Sequence, residues 1–201
     1  MVMAETLEFL FDFGSPNAYL VHRALPDFSA RTGAQITYLP VLLGGIFKAT
    51  GNQPPMVTLA NVPAKLQYER QEMQRFIALH GLDKFQFHPH FPVNTLLLMR
   101  GAVAADQAGI LAEYVEVAMV AMWENGLRMD NPDVFSKTLT VAGLDGSGLL
   151  EKTQSADVKN ALIANTDAAV ARGVFGIPTF FVGDEMFFGK ERLLQIEKTY
   201  F

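Results

Sequence analysis

The sequence predicts an α/β fold in which a β-α-β unit and a β-β-α unit share one small sheet, with a large all-helical insertion between them. Two observations support this prediction. Short apolar runs with strand character occur only near the two ends of the chain, and about a hundred consecutive residues between them have the pattern of helix and loop. The chain has 201 residues, of which half are hydrophobic and 18% are charged, so it can bury a proper core.

The N-terminal unit begins with a predicted strand over Leu7–Phe13, an apolar and aromatic run that stops at a glycine. Ser15 then occupies the N-cap of a helix, because Pro16 suits a first helical turn and apolar residues recur at helical spacing after it. Gly33 ends this helix. The run Gln35–Pro40 is predicted to be a second strand, parallel to the first because a helix connects the two.

The middle of the chain predicts helices separated by loops. Gly44-Gly45 and the stretch 50–55 are loop signals around a short segment that contains Lys48. His88–Pro92 is an irregular, aromatic-rich link. The predicted helices are Pro63–Leu79, Thr95–Gly109, Glu113–Glu124, Asp133–Val141 and Leu149–Arg172, the last in one piece or two.

The C-terminal unit predicts a hairpin followed by a helix. Thr179–Val182 and Glu185–Phe188 are the two strands, joined by a tight Gly-Asp turn, and Lys190–Tyr200 is the helix. We therefore expect residues 1–42 and 173–201 to form the sheet-bearing domain and residues 43–172 to form a helical insertion subdomain.

Composition argues against several classes of function. A net charge of -5 offers no basic surface for nucleic acid, and no apolar stretch reaches the length of a membrane span. The N-terminus lacks the basic region of a signal peptide, so we expect a cytoplasmic protein. The absence of cysteine excludes disulfides, zinc-thiolate sites and dithiol exchange by the protein itself. The four histidines show no metal-binding spacing, so we expect no metal.

Four motifs in a fixed order indicate a family. They are Phe-Asp-Phe-Gly-Ser-Pro-Asn-Ala-Tyr19, Thr-Gly-Asn-Gln-Pro-Pro55, Gly-Val-Phe-Gly-Ile-Pro-Thr179 and Gly-Asp-Glu-Met-Phe-Phe-Gly189. The chain resembles the 2-hydroxychromene-2-carboxylate isomerase family from about residue 5 to residue 198. That family belongs to the thioredoxin-like superfamily and is related to kappa-class glutathione transferases and periplasmic disulfide oxidoreductases. The resemblance implies a thioredoxin-like sheet with a helical insertion, and a homodimer.

The resemblance also implies a reaction. Family members bind glutathione with its thiol beside the residue that matches Ser15, and convert 2-hydroxychromene-2-carboxylate to trans-o-hydroxybenzylidenepyruvate during naphthalene breakdown. Reversible addition of the thiolate allows rotation about the former double bond. Locally, a helix N-terminus and the Ser15 hydroxyl are suited to stabilising a thiolate, because both present positive charge or a hydrogen-bond donor.

Further site residues follow only from the resemblance. The backbone of Ile177 is implied to pair with the cysteinyl part of glutathione, at a place where thioredoxin-like folds keep a cis peptide before proline. The loop of Phe188, Gly189, Lys190 and Glu191 is implied to hold the γ-glutamyl group, although relatives commonly have a small polar residue and Asp at its last two positions. The small aromatic carboxylate substrate is implied to meet Lys48, Asn52, Asn61, His90 and Phe91.

Two other functions remain open on the sequence. A kappa-type glutathione transferase or peroxidase would use the same fold but consume glutathione. A non-catalytic glutathione-binding protein would bind the tripeptide without turning over either kind of substrate. A shared scaffold does not distinguish them, because function depends on the pocket.

Overall fold

The computed structural model describes residues 6–201, in which four strands form a single mixed sheet. The elements in chain order are β1 (Thr6–Phe11), α1 (Pro16–Thr32), β2 (Gln35–Pro40), α2 (Leu43–Thr50), α3 (Pro55–Thr58), α4 (Pro63–His80), α5 (Leu96–Gln107), α6 (Leu111–Trp123), α7 (Pro132–Val141), α8 (Gly146–Lys152), α9 (Ala156–Ala171), β3 (Thr179–Val182), β4 (Glu185–Phe188) and α10 (Arg192–Tyr200).

The sheet has the strand order β2-β1-β3-β4. β1 runs parallel to β2 and antiparallel to β3, and β4 is antiparallel to β3, so the predicted β-α-β and β-β-α units are confirmed. Phe9 on the central strand lies opposite Tyr38 on one side and Phe180 on the other. β1 is buried over most of its length, because strands pair with both of its edges and helices pack on the sheet.

The helix α1 begins and ends as its sequence predicts. The Ser15 side chain accepts a hydrogen bond from the Ala18 N–H at 3.2 Å, which satisfies one of the unpaired donors of the first turn. Gly33 ends the helix at φ 76°, and its N–H donates to the Ser29 carbonyl. β1 stops at Phe11, two residues earlier than predicted, so Asp12 lies in the turn that leads to Ser15.

The prediction of loops around Lys48 was wrong at its N-terminal side, because Gly44 and Gly45 lie inside α2. A Cβ atom on Gly45 would lie 3.1 Å from Thr166 Cγ2 in α9, so the glycine permits the two helices to pack closely. No side chain at the N-cap of α2 accepts a hydrogen bond from its first turn. The Leu43 N–H at the start of this helix donates to the Asp12 carboxylate, which gives one of the unpaired N–H groups of that turn an acceptor.

No helix was predicted at α3, and the other insertion helices after it agree with the predictions within a few residues at their ends. The predicted segment Leu149–Arg172 is two helices, α8 and α9, separated at residues 153–155. The core joins the sheet to the insertion, since Trp123, Tyr114 and Phe135 of the insertion belong to the same buried cluster as Phe9 and Phe180 of the sheet. Among residues 6–201 we find no helix that is both long and apolar enough to cross a membrane. The two-part division of the chain stays a prediction.

Candidate active site

The turn between β1 and α1 holds the Ser15 side chain in a buried position. Its Oγ accepts from the Ala18 N–H and donates to the Ile177 carbonyl at 3.2 Å, a contact between residues 162 positions apart. Within the described part of the chain, the Asn17 N–H makes no hydrogen bond, nor does its buried side-chain oxygen Oδ1. The first turn of α1 therefore presents a free N–H at the positive end of the helix dipole, beside a hydroxyl that donates to the Ile177 carbonyl.

The segment between α9 and β3 forms the facing wall. The Ile177-Pro178 peptide is cis, at the place where the sequence resemblance put such a bond. Among residues 6–201 the Ile177 N–H has no hydrogen-bond partner, while its carbonyl accepts from Ser15. A peptide backbone that lies alongside Ile177 thus meets one free donor and a carbonyl with a remaining lone pair.

The loop after β4 adjoins this wall. The Gly189 N–H donates to the Pro178 carbonyl at 3.0 Å, and the Phe188 ring lies 4.6 Å from the Phe175 ring, both about 40% exposed. Lys190 is only 2% exposed, and its ammonium forms an ion pair with the half-exposed Glu191 carboxylate. The first two contacts hold the loop of the four predicted γ-glutamyl-binding residues against the segment that carries Ile177, and the role of this loop in binding stays a prediction.

Of the predicted substrate residues, Asn52 forms a hydrogen bond with the segment that carries Ile177. Its side-chain amide donates to the Phe175 carbonyl at 2.7 Å, which joins the segment after α2 to the segment that carries Ile177. Lys48 is exposed in the last turn of α2, and no carboxylate among the described residues pairs with it. Asn61 is exposed just before α4. The structure shows no contact that joins these last two to Ser15.

His90 and Phe91 belong to an aromatic cluster beside the serine turn. The Phe91 ring lies 5.0 Å from Phe87 and 6.2 Å from Trp123, while His90 is exposed. The Trp123 indole N–H donates to the Phe13 carbonyl at 2.9 Å, two residues before Ser15. Through Trp123, the His90–Phe91 segment is therefore connected to the serine turn.

The sequence analysis missed Asp12. Its carboxylate is fully buried and accepts hydrogen bonds from the Gly14 N–H, the Thr95 hydroxyl and the Leu43 N–H, at 2.8, 2.7 and 2.8 Å. Burial raises the pKa of Asp12, and these three donors oppose that rise. An acidic residue inside an apolar strand was the only available signal, and it did not identify the distant partners.

A second polar cluster lies on the face where α1 meets α6, apart from the serine turn and the segment that carries Ile177. Glu116 accepts from the His22 ring at 2.9 Å and from Arg23 at 2.7 Å. The hydrogen bond from His22, followed by that from Arg23, lowers the pKa of Glu116 to about 2. His22 also contacts the Tyr38 hydroxyl at 2.8 Å, so this cluster links two helices to β2.

Comparison with known proteins identifies the family of this chain. Residues 6–201 match the DSBA-like thioredoxin domain. The 2-hydroxychromene-2-carboxylate isomerase of Pseudomonas sp. (strain C18) is 31% identical over 194 residues, covering 95% of this chain and 88% of the relative. This chain belongs to the 2-hydroxychromene-2-carboxylate isomerase family. It is also similar to glutathione S-transferase kappa 1 of Rattus norvegicus, at 29% identity over 93% of this chain and 87% of that protein.

A solved structure supports membership of the isomerase family. The selenomethionine 2-hydroxychromene-2-carboxylate isomerase structure superposes with a TM-score of 0.82 at 30% identity, covering 96% of this chain and 93% of the other. The predicted thioredoxin-like fold with a helical insertion is thereby confirmed. The named relatives are enzymes, and the relationship supports isomerase or glutathione-transferase-like chemistry for this chain.

Proposed function

We propose that this chain is a glutathione-dependent isomerase that converts 2-hydroxychromene-2-carboxylate, or a related intermediate of aromatic breakdown, to trans-o-hydroxybenzylidenepyruvate. The observation that carries this proposal is the contact of Ser15 Oγ with the Ile177 backbone at the N-terminus of α1, in a chain about 30% identical to isomerases of that name. The related kappa transferases, named for glutathione, support the choice of thiol.

The residues of this site fit glutathione. When bound, glutathione supplies a thiolate, whose reversible addition to a conjugated double bond leaves a single bond about which rotation is easy. A free thiol has a pKa of about 8.5, so the site must favour ionisation at neutral pH. In the structure the Ser15 hydroxyl donates to the Ile177 carbonyl, so a bound thiolate would replace that carbonyl as its acceptor. The hydroxyl and the Asn17 N–H, which is unpaired among residues 6–201, would then be two donors at the positive end of α1, and both favour negative charge at that position.

The remaining contacts are assigned by the same reasoning. The free N–H and the carbonyl of Ile177 would pair with the cysteinyl backbone. Glu191, half exposed at the start of α10, would pair with the γ-glutamyl ammonium. For the substrate, the ammonium of Lys48, which pairs with no carboxylate of residues 6–201, is suited to a carboxylate, and Phe91 offers an aromatic surface. Asn52, Asn61 and His90 complete the proposed substrate set.

The test is isomerisation by Ser15→Ala at saturating glutathione. Loss of the hydroxyl should lower the rate about tenfold to a hundredfold, because one or two pKa units of thiolate stabilisation correspond to about 1.4 kcal/mol each. Ser29→Ala is the matched control, since it removes a serine at the other end of α1 that donates to the Ala34 carbonyl. A Ser15→Ala rate within twofold of wild type would sink the assignment of Ser15.

The competing function is a kappa-type glutathione transferase, which the 29% identity to the rat enzyme favours. The two reactions differ in the fate of the thiol, because an isomerase regenerates glutathione and a transferase consumes it. Thiol titration during incubation with glutathione and a chlorinated dinitrobenzene distinguishes them. Stoichiometric thiol loss, without conversion of the chromene carboxylate, would establish the transferase instead.

A further inference from the structure

The buried carboxylate of Asp12 receives donors from three separate parts of the fold. Oδ1 accepts from the Gly14 N–H and from the Thr95 hydroxyl, and Oδ2 accepts from the Leu43 N–H. Burial raises the pKa of this group, so a negative charge is costly at this position. A buried charge is tolerated when hydrogen bonds satisfy it, and here both oxygens are engaged.

The three donors belong to the segments on which the proposed function relies. Gly14 directly precedes Ser15 in the serine turn. Leu43 is the first residue of α2, the helix that carries Lys48. Thr95 directly precedes α5 and follows the link that contains Phe91. The Asp12 side chain therefore contacts the serine turn, which is proposed to hold the thiol, and two segments next to residues that are proposed to bind the substrate.

Thr95 indicates that this arrangement is more than incidental packing. It occupies the N-cap of α5, where a threonine side chain ordinarily accepts a hydrogen bond from the first turn of its own helix. No such bond is formed, and the hydroxyl is directed to Asp12 at 2.7 Å. The Leu96 N–H, at the first position of the helix, donates to Asn94 Oδ1 at 3.0 Å. The Thr95 hydroxyl thus contacts Asp12, in the turn after β1, and does not cap α5.

We propose that Asp12 is a positioning residue of the active site: its carboxylate fixes the serine turn, the start of α2 and the start of α5 relative to one another. This inference rests on the proposed function for its meaning, since those three segments carry the thiol and substrate contacts. Asp12 acts through Ser15 and Lys48 and need not touch either ligand.

The hydrogen-bond pattern explains why asparagine cannot substitute. If its oxygen faces Gly14 and Thr95, its amide nitrogen faces the Leu43 N–H, and two donors oppose each other. If its oxygen faces Leu43, the Thr95 hydroxyl can turn to accept, but the Gly14 N–H loses its acceptor. Asp12→Asn must therefore release either the start of α2 or the serine turn.

The experiment compares Asp12→Asn, Thr95→Val and Thr95→Ser with the wild type. Calorimetry measures the Kd of glutathione, steady-state kinetics separates kcat from the substrate KM, and hydrogen exchange follows the amides of residues 13–18 and 43–47. For Asp12→Asn we expect faster exchange in at least one of these segments. We also expect a rise of tenfold or more in the glutathione Kd or in the substrate KM. Thr95→Val should shift the same quantities in the same direction, whereas Thr95→Ser keeps the hydroxyl and should stay within twofold of wild type.

The outcomes separate this inference from the proposed function. If wild type binds no glutathione, the proposed function fails, while hydrogen exchange still tests whether Asp12 holds the two segments. Unchanged exchange in both segments of Asp12→Asn would overturn the inference. If Asp12→Asn does not fold, Thr95→Val decides: a Kd, KM and exchange pattern within twofold of wild type would overturn the inference, and rescue by Thr95→Ser would support it.

Discussion

Trp123→Phe tests whether a hydrogen bond from α6 in the helical insertion positions the serine turn. The substitution removes the indole N–H that donates to the Phe13 carbonyl at 2.9 Å, and leaves a smaller ring among Phe85, Phe91 and His88. A buried carbonyl without its donor costs about 1–3 kcal/mol, and the smaller ring adds about 1 kcal/mol through incomplete packing. The total is about 2–4 kcal/mol, or a fall in Tm of about 4–16 °C for a chain of this length.

The matched control is Tyr114→Phe. Tyr114 is also fully buried, and its hydroxyl donates to the Leu98 carbonyl at 2.8 Å, so this variant loses a comparable bond without a change of ring size. The Leu98 carbonyl lies in α5 and outside the serine turn. We expect Tyr114→Phe to lower Tm by about 2–12 °C and to keep its kcat within twofold.

The assay is isomerisation at saturating glutathione, at a temperature where all three proteins are folded by circular dichroism. Phe13 is two residues before Ser15, so a turn that loses its anchor should misplace the hydroxyl, and a displacement of about 1 Å can cost a hundredfold in rate. We expect kcat of Trp123→Phe to fall at least tenfold. A folded Trp123→Phe with wild-type kcat would show that the indole bond stabilises the core without positioning the serine turn.

Two further predictions concern charge. The pKa of Glu116 lies at about 2, below the unfolded value, so its contribution to stability is present above about pH 4.5 and is lost as the pH falls toward 2. The Tm difference between wild type and Glu116→Gln should therefore shrink from pH 6 to pH 2.5; Glu113→Gln on the same helix is the control, and a constant difference would contradict the linkage. Glu191→Gln leaves the Lys190 ammonium buried without its carboxylate, and should cost about 1–3 kcal/mol, more than Lys190→Met, which leaves a carboxylate that water can solvate. Urea unfolding measures both, and the reverse order would refute the argument.

The sheet was predictable because its signals are local. Each strand is a short apolar run bounded by glycine or proline, and the Gly183-Asp184 turn fixed the last hairpin. The meeting of Ser15 with Ile177 was not accessible from local signals, since 162 positions separate them, and was anticipated only through motif resemblance. Element order alone would have placed both residues on strands and turns without placing them in contact.

The failures have physical causes. Gly44-Gly45 suggested a loop because glycine is unfavourable inside a helix, yet close packing against Thr166 requires a small residue there. The role of Asp12 was hidden because two of its three donors are backbone N–H groups, which carry no side-chain signature. The burial of Lys190 was equally invisible, since lysine is almost never buried unless paired.

The serine turn also determines how the proposed glutathione site responds to oxidants. A thiol at this position would form a mixed disulfide with oxidised glutathione, or pass to sulfenic acid and beyond. The Ser15 oxygen can do neither, and the chain contains no cysteine elsewhere. Under the proposed function, no covalent trap exists at the turn, so oxidised glutathione can act there only as a reversible competitor. The redox sensitivity of thiol chemistry at this site therefore lies in the ratio of reduced to oxidised glutathione around the protein.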